Sequence, residues 1–255
     1  MKPIIFLIAV CSLNAASLLA QKDVDEAAKL NTQDKFRRGD FNPTAYGVIY
    51  GWSGGSSGGV VGDYFETRDY QPNGGIWFYP WRIVYENRAI QVDSIMEVGL
   101  RLDLKNNEVH IKTPYGERAL PGEKVRHFVY KDGNGISHTF LNMKEYRTDN
   151  DELKGFVELL STGDLQLLRY NYIWEKQPTY SAALEVGNKD LTYIKKYRYY
   201  YAKGKKLTKL KPSTGGLLKL MSNKKTKMEA FFKENTLDMK KEADVVKAFD
   251  YYNSL

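Results

Sequence analysis

The chain reads as mainly β (α+β): an antiparallel meander or sandwich, with two to three C-terminal helices packed on it. Three observations predict this. Apolar and polar residues alternate along most of residues 76–211, and turn-forming residues separate the alternating runs without helical stretches between them. After Pro212 the apolar spacing changes from two to that of a helix.

Residues 1–20 read as a signal peptide. Lys2 gives a short positive start, Ile4 to Val10 an apolar run, and Ala15, Ala16, Ser17 and Ala20 a small-residue stretch before Gln21 and Lys22. The run is too short to cross a bilayer comfortably, so the order is that of an export signal. Cleavage after Ala20 leaves Leu18 where a small residue is preferred. Cys11 raises a lipid-attachment reading, but it sits inside the apolar run behind branched Val10, and simple cleavage is the better expectation. The expected location is periplasmic, outer-membrane-associated or secreted. Cys11 is the only cysteine, so the processed chain lacks disulfides, thiolate metal sites and a cysteine nucleophile. No transmembrane helix is expected in the mature chain, because no second apolar stretch approaches spanning length.

Residues 21–75 form a polar N-terminal segment with a Gly/Ser-rich run, Gly51 to Gly59, whose composition favours a flexible loop. Residues 76–211 form the antiparallel β domain. Val98, Leu100, Leu102 and Leu104 alternate with Gly99, Arg101 and Asp103, as in a strand with one buried face. Asn106-Asn107 then turns the chain, since asparagine tolerates the left-handed conformation, and Val109 and Ile111 return. Three more hairpins follow: 125–130 with 137–141 around Asp132-Gly133-Asn134-Gly135, 156–160 with 165–173 around Ser161 to Asp164, and 193–201 with 207–211 around Gly204.

Residues 212–255 form basic C-terminal helices. Pro212 stops the last strand, and Ser213 or Thr214 can cap a helix. Leu217, Met221, Met228 and Phe232 fall at helical spacing, widened by Leu218 and Phe231, with Asn223 expected to cap a second helix and Asn235-Thr236 to end it. A final helix from about Lys240 to Tyr252 presents Val245, Phe249 and Tyr252 on one side. Residues 195–255 hold 16 basic and 6 acidic residues, whereas residues 22–194 hold 21 and 25, so the basicity belongs to the end of the chain.

Several segments resemble a group of uncharacterised exported proteins of Gram-negative bacteria. They are Gly155 to Leu168, the Tyr/Lys-rich hairpin near 197–211, Leu217-Leu218-Lys219-Leu220 and the ending Tyr251-Tyr252-Asn253-Ser254-Leu255. The resemblance covers roughly residues 80–255 and implies export; no activity or binding residue carries over with it.

No catalytic constellation emerges, and a non-enzymatic role is expected. Gly51-Trp52-Ser53-Gly54-Gly55 matches the serine-hydrolase elbow, but Val60-Val61-Gly62-Asp63 offers no helix start, and a loop is the better reading. His110, His127 and His138 are the only histidines and lack ligand spacing, although His127 and His138 could approach each other across a hairpin. No metal or cofactor is expected. Asp132-Gly133-Asn134-Gly135 starts like a calcium loop, but Ile136 occupies the next ligand position. Asp149, Asp151 and Glu152 share one polar loop, where solvated charge is the default.

Two surfaces remain as candidates. If residues 76–85 are extended, Trp77, Tyr79 and Trp81 share a face that could stack on sugar rings, the alternative being that they fill the core. The hairpin 193–211 holds eight cations, five tyrosines and no acid, with Lys195, Lys196, Arg198, Lys205 and Lys206 as candidates for an anionic surface. Lysines that protect a strand edge explain the same cations more simply. The amphipathic helix near 214–234 could lie on a membrane, but packing on the sheet needs fewer assumptions. An envelope protein, a glycan or an anionic surface is the expected kind of partner; export makes nucleic acid an unsuitable one.

Overall fold

The computed structural model describes residues 60–85, 88–113, 116–148, 153–181 and 183–255. Its strands form one sheet, so of the two expected architectures the meander is the one adopted. The strands are β1 (Val60–Val61), β2 (Gln71–Tyr85), β3 (Arg88–Asp103), β4 (Glu108–Thr113), β5 (Gly116–Pro121), β6 (Val125–Lys131), β7 (Ser137–Asn142), β8 (Phe156–Ser161), β9 (Leu165–Lys176), β10 (Leu191–Lys203) and β11 (Lys206–Leu210). Helices α1 (Thr214–Leu220), α2 (Lys225–Asn235) and α3 (Glu242–Ser254) complete the described part. No helix of the described residues is long and apolar enough to cross a membrane.

Two meanders make the sheet. Strands β2 to β5 pair in chain order, as do β6 to β11, and antiparallel β2–β6 pairing joins the two sets. The hairpin around Asn106-Asn107 forms as expected, with Leu102 opposite Val109 and Asn107 at φ 56°. Asp132 makes a plain turn, its Oδ1 accepting from the backbone N–H groups of Asn134 and Ile136 at 2.9 and 2.8 Å.

The stretch from Val60 to Tyr85 links distant parts of the sheet. Val60 and Val61 pair in parallel with Leu191 and Thr192 of β10, Phe65 bridges Asp103 at the tip of β3, and Gln71 starts the long pairing with β3. The sheet therefore curls, and one interior collects Ile76, Leu100, Val109, Phe128, Phe140 and Phe156, with Ile173 of β9 against it. Phe128 and Phe140, opposite each other in register, stack at 4.8 Å between centroids.

The helices cover the remaining apolar part of the same face. Leu217, Met221, Met228, Phe232, Val245 and Phe249 are buried together with Leu165, Leu167 and Leu210, which accounts for the helical-period stripe without a membrane. Ser213 caps α1 through its hydroxyl, which accepts from the Gly216 N–H at 3.2 Å. The expected Asn223 cap is not made. Residues 222–224 form a 3₁₀ turn, α2 starts at Lys225 without a side-chain cap, and Asn223 Oδ1 accepts from the Tyr252 hydroxyl instead.

The chain's ending grips the β8–β9 turn. Asn253 Nδ2 donates to the carbonyls of Thr162 and Leu165, both at 2.9 Å, and its Oδ1 accepts from the Leu165 N–H at 3.1 Å. Ser161 Oγ donates to Asp250 Oδ1 at 2.6 Å. Gly163, at φ +134°, leaves the room: a Cβ there would lie 2.4 Å from Asn253 Cγ. The segment Gly155 to Leu168 and the last five residues thus meet in space.

Candidate functional site

Strands β9 and β10 run antiparallel over their whole length, so their residues divide strictly between two faces. The inner face carries Leu167, Arg169, Asn171 and Ile173 with Tyr193, Lys195, Tyr197, Tyr199 and Tyr201; Leu167 and Ile173 meet the helices and the interior, whereas Lys195 and Tyr197 are exposed. The outer face carries Leu168, Tyr170, Tyr172 and Trp174 with Ile194, Lys196, Arg198, Tyr200 and Ala202. Leu168, Tyr200 and Ala202 are buried there in a further core with Met143 and Val157, which leaves the part from Tyr172 to Trp174 nearer the surface. On that outer face the Lys196 ammonium lies 3.8 Å from the Trp174 ring centroid, and the Arg198 guanidinium lies 4.7 Å from that of Tyr172. Trp174 is 43% exposed, unusual for the largest apolar side chain. A cleft of about 370 Å³ opens beside this lane, lined by Lys105, Tyr170, Tyr172, Glu175 and Arg198.

The five cations singled out from the sequence do not form one patch. Lys196 and Arg198 share the outer lane. Lys195 is on the opposite face, 3.6 Å from the Asp63 carboxylate. Lys205 and Lys206 are exposed at the β10–β11 turn, beyond the lane. Because β9 occupies one edge of β10 throughout, β1 and β11 must share the other, at Leu191–Thr192 and Tyr199–Lys203. Among the described residues no strand covers that edge at 193–198.

The aromatic row at Trp77, Tyr79 and Trp81 does not lie on an uninterrupted strand. Pairing with β3 shifts register between Trp77 and Trp81, and pairing with β6 shifts between Trp77 and Phe78. Trp77 is half-buried, stacked on His127 at 4.5 Å and 11°. Its ring folds back over Gly75, where a Cβ would sit 2.9 Å from it. Tyr79 is half-buried as well, and burial with the Glu145 carboxylate pushes its hydroxyl pKa up. The Trp81 side chain lies outside what is described, as do the run Gly51 to Gly59 and the acidic residues Asp149, Asp151 and Glu152.

His127 and His138 do not meet. His127 pairs with Leu141, and His138 with Tyr130, three residues away on each strand. His138 instead belongs to a charged seam that crosses the inner face. Its Nδ1 is 2.7 Å from Glu158 Oε1, and Arg169 donates through Nη2 and Nε to Glu158 Oε2 at 2.5 and 3.1 Å. Arg169 Nη1 also donates to both oxygens of Glu242, at 2.8 and 2.9 Å, and the Tyr199 hydroxyl donates to Glu242 Oε2 at 2.9 Å. Glu158 is 3% exposed, so every lone pair filled here matters. Burial opposes the charge on Arg169, but Glu158 and Glu242 outweigh it and hold the guanidinium protonated. Burial pushes the neighbouring Glu66 carboxyl up, and the Glu158 charge adds to that. The seam joins the first turn of α3 to β8 and β9, where the curled interior ends and the helix-covered layer begins.

A second polar cluster sits at the tip of the β3–β4 hairpin, and sequence reading missed it. Asp103 pairs with Glu108, and Arg101 with His110, so Asp103, Glu108 and His110 share one face. Asp103 is 1% exposed and firmly held: Oδ1 accepts from the Lys105 and Asn106 N–H groups at 2.9 and 2.8 Å, and Oδ2 from Asn106 Nδ2 at 2.9 Å. His110 is 3% exposed, yet neither ring nitrogen has a hydrogen-bond partner. Its Nε2 lies 3.5 Å from Glu108 Oε2 and 3.8 Å from Asp103 Oδ2, beyond good hydrogen-bond length. Burial pushes the His110 pKa down, against the raising effect of both carboxylates. A turn at Asn106-Asn107 applied to the whole hairpin would have put Asp103 opposite His110 with Glu108 on the same face, and so would have found this trio; the observed turn spans 104–107 and places Asp103 opposite Glu108 instead.

Comparison with known proteins adds no identity: no family model matches the chain, and neither the curated proteins nor the solved structures contain a match to it.

Proposed function

We propose that the protein is an exported, non-catalytic binding protein that attaches to an acidic polysaccharide of the cell envelope through the outer face of β9 and β10. The observation that carries this reading is the pairing of rings with cations there, exposed Trp174 with Lys196 and half-buried Tyr172 with Arg198. Aromatic faces suit the C–H faces of sugar rings, and adjacent cations suit the carboxylates of an acidic sugar. An ammonium already placed over the indole meets such a sugar at the point where it stacks. Edge protection by lysines explains the cations on β10 but not the rings laid beside them on β9. Export is supported by the order of residues 1–20, and the net positive charge of the C-terminal part favours approach to an anionic polymer.

Affinity electrophoresis of the processed protein in gels containing polygalacturonate, with a neutral glucan as control, tests the reading. Retardation is expected in the acidic gel alone, weakened about tenfold by Trp174→Ala and further by Lys196→Gln with Arg198→Gln, and fading as salt is raised. Equal retardation by the neutral glucan, or binding untouched by these substitutions, contradicts it. Binding to anionic vesicles but not to the polysaccharide would assign the lane to a lipid surface instead.

A further inference from the structure

The geometry points to a divalent metal site formed by Asp103 Oδ2, Glu108 Oε2 and His110 Nε2, at the opposite end of the chain's polar economy from the seam around Arg169. These three atoms all lie within 4.8 Å of one another. Ligand atoms about 2.0–2.2 Å from a tetrahedral zinc ion stand roughly 3.3–3.6 Å apart. The His110 distances of 3.5 and 3.8 Å need a closure of a few tenths of an ångström, and the two carboxylate oxygens, within 4.8 Å of each other, one of at most about 1.5 Å. Glu108 can supply it, because its side chain is 37% exposed.

Acidic residues in a turn are common without any ligand, and they do not carry the inference alone. The imidazole does. A buried polar group without a partner costs about 1–3 kcal/mol, and native structures rarely leave one in that state. His110 is 97% buried by its 3% exposure, has both nitrogens unpartnered, and directs Nε2 between two carboxylate oxygens. Arg101, the nearest cation on that face, does not serve them. Its guanidinium stacks over Phe65 at 3.6 Å, donates to the Arg68 carbonyl and reaches Glu117. A metal ion would engage Nε2, leave the ring proton on Nδ1, and balance the two carboxylates.

The surroundings fit a metal centre in two further ways. Three donors fix the Asp103 carboxylate, which is how outer partners orient a ligand. Glu108, 37% exposed, gives an ion a route in from solvent. One imidazole with two carboxylates suits a first-row divalent ion such as zinc or manganese; calcium, which takes oxygen ligands only, is not expected.

Calorimetric titration of the chelator-treated full chain with Zn²⁺, Mn²⁺ and Ca²⁺, paired with thermal unfolding, tests the site. Zinc or manganese should bind at one site per chain and raise Tm, and calcium should do neither. Glu108→Gln should weaken binding at least about 100-fold, the upper end of what outer partners cost in known centres. His110→Phe should abolish binding while keeping or raising the metal-free Tm, because an apolar ring replaces the unpaired imidazole. Absence of zinc and manganese binding tighter than about 0.1 mM overturns the proposal. So does zinc binding of wild-type strength in His110→Phe.

Discussion

The two faces of the β9–β10 pair are made from the same few residue types and meet opposite fates. On the inner face, Arg169 is bound by Glu158 and Glu242, Tyr199 donates to Glu242, and Leu167 lies under the helices. On the outer face, Trp174 pairs with Lys196 and Tyr172 with Arg198, at or near the surface, and Tyr172 also stacks on Tyr170 at 5.8 Å. Arg169 and Leu167 are consumed by the fold, whereas the Trp174–Lys196 and Tyr172–Arg198 pairs stay at or near the surface. Residue type alone does not distinguish them; strand alternation and position along the strand pair do.

The largest effect expected from breaking the inner face is at Arg169. Arg169→Met leaves Glu158 buried with the His138 ring as its remaining close polar neighbour, and removing one member of a buried ion pair costs about 3–5 kcal/mol. Urea unfolding should register that loss. Asn253→Ala, which frees the β8–β9 turn, should cost about 1–3 kcal/mol by the same measurement. Gly163→Ala should be destabilising too, since it strains a φ of +134° and meets Asn253.

Glu66 gives a smaller effect with a distinctive pH signature. Its folded pKa is raised above the unfolded value of about 4.3, so the folded state is the one that holds the proton more tightly. Native stability is therefore fullest below the unfolded pKa and falls as pH rises through the folded one. Glu66→Gln, which keeps an acceptor for Asn171 Nδ2, should be more stable than the native chain at about pH 8 and equal to it at about pH 3. A gap between the two melting curves that grows toward acid would contradict this assignment. Smallest of all is the outer face: Trp174→Ala, Lys196→Gln and Arg198→Gln should each change stability by about 0.5 kcal/mol or less in the same unfolding assay.

Much of the fold was legible because hairpins depend on local signals. Alternation from Val98 to Leu104, a left-handed asparagine at 107 and a period change after Pro212 set the order of elements and the buried sides of α1 to α3. Strand β2, which the sequence suggests only as an extended run over 76–85, begins at Gln71, and β5, six residues that start at Gly116 and end at Pro121, carries too little alternation to announce itself. Pairing of β2 with β6 and of β1 with β10 joins segments far apart in sequence, and no local pattern encodes it. The aromatic run is harder to read for a related reason: a period of two places Trp77, Tyr79 and Trp81 together where the strand is regular, and β2 takes up two extra residues against β3 between Trp77 and Trp81.

The site was legible in type more than in membership. Alternation already separates Lys195 from Lys196, but counting cations along the chain merged them into one patch. Trp174 and Tyr172 entered the lane only once the β9–β10 register was known. The two polar clusters make a parallel point. Around Arg169 the buried groups are hydrogen-bonded, whereas neither His110 nitrogen is, and it is that difference in saturation, rather than the residue types, on which the proposal of a metal site at His110 and not at Arg169 rests.

Hydroxyl-radical footprinting with an acidic oligosaccharide tests the central assignment most directly, because it reports the contacted rings in the intact protein. Protection of Trp174 and Tyr172 is predicted, with Tyr197 on the inner face and the His127-stacked Trp77 oxidised as before. Protection at Trp77 with none at Trp174, or no protection anywhere at saturating ligand, would contradict the account.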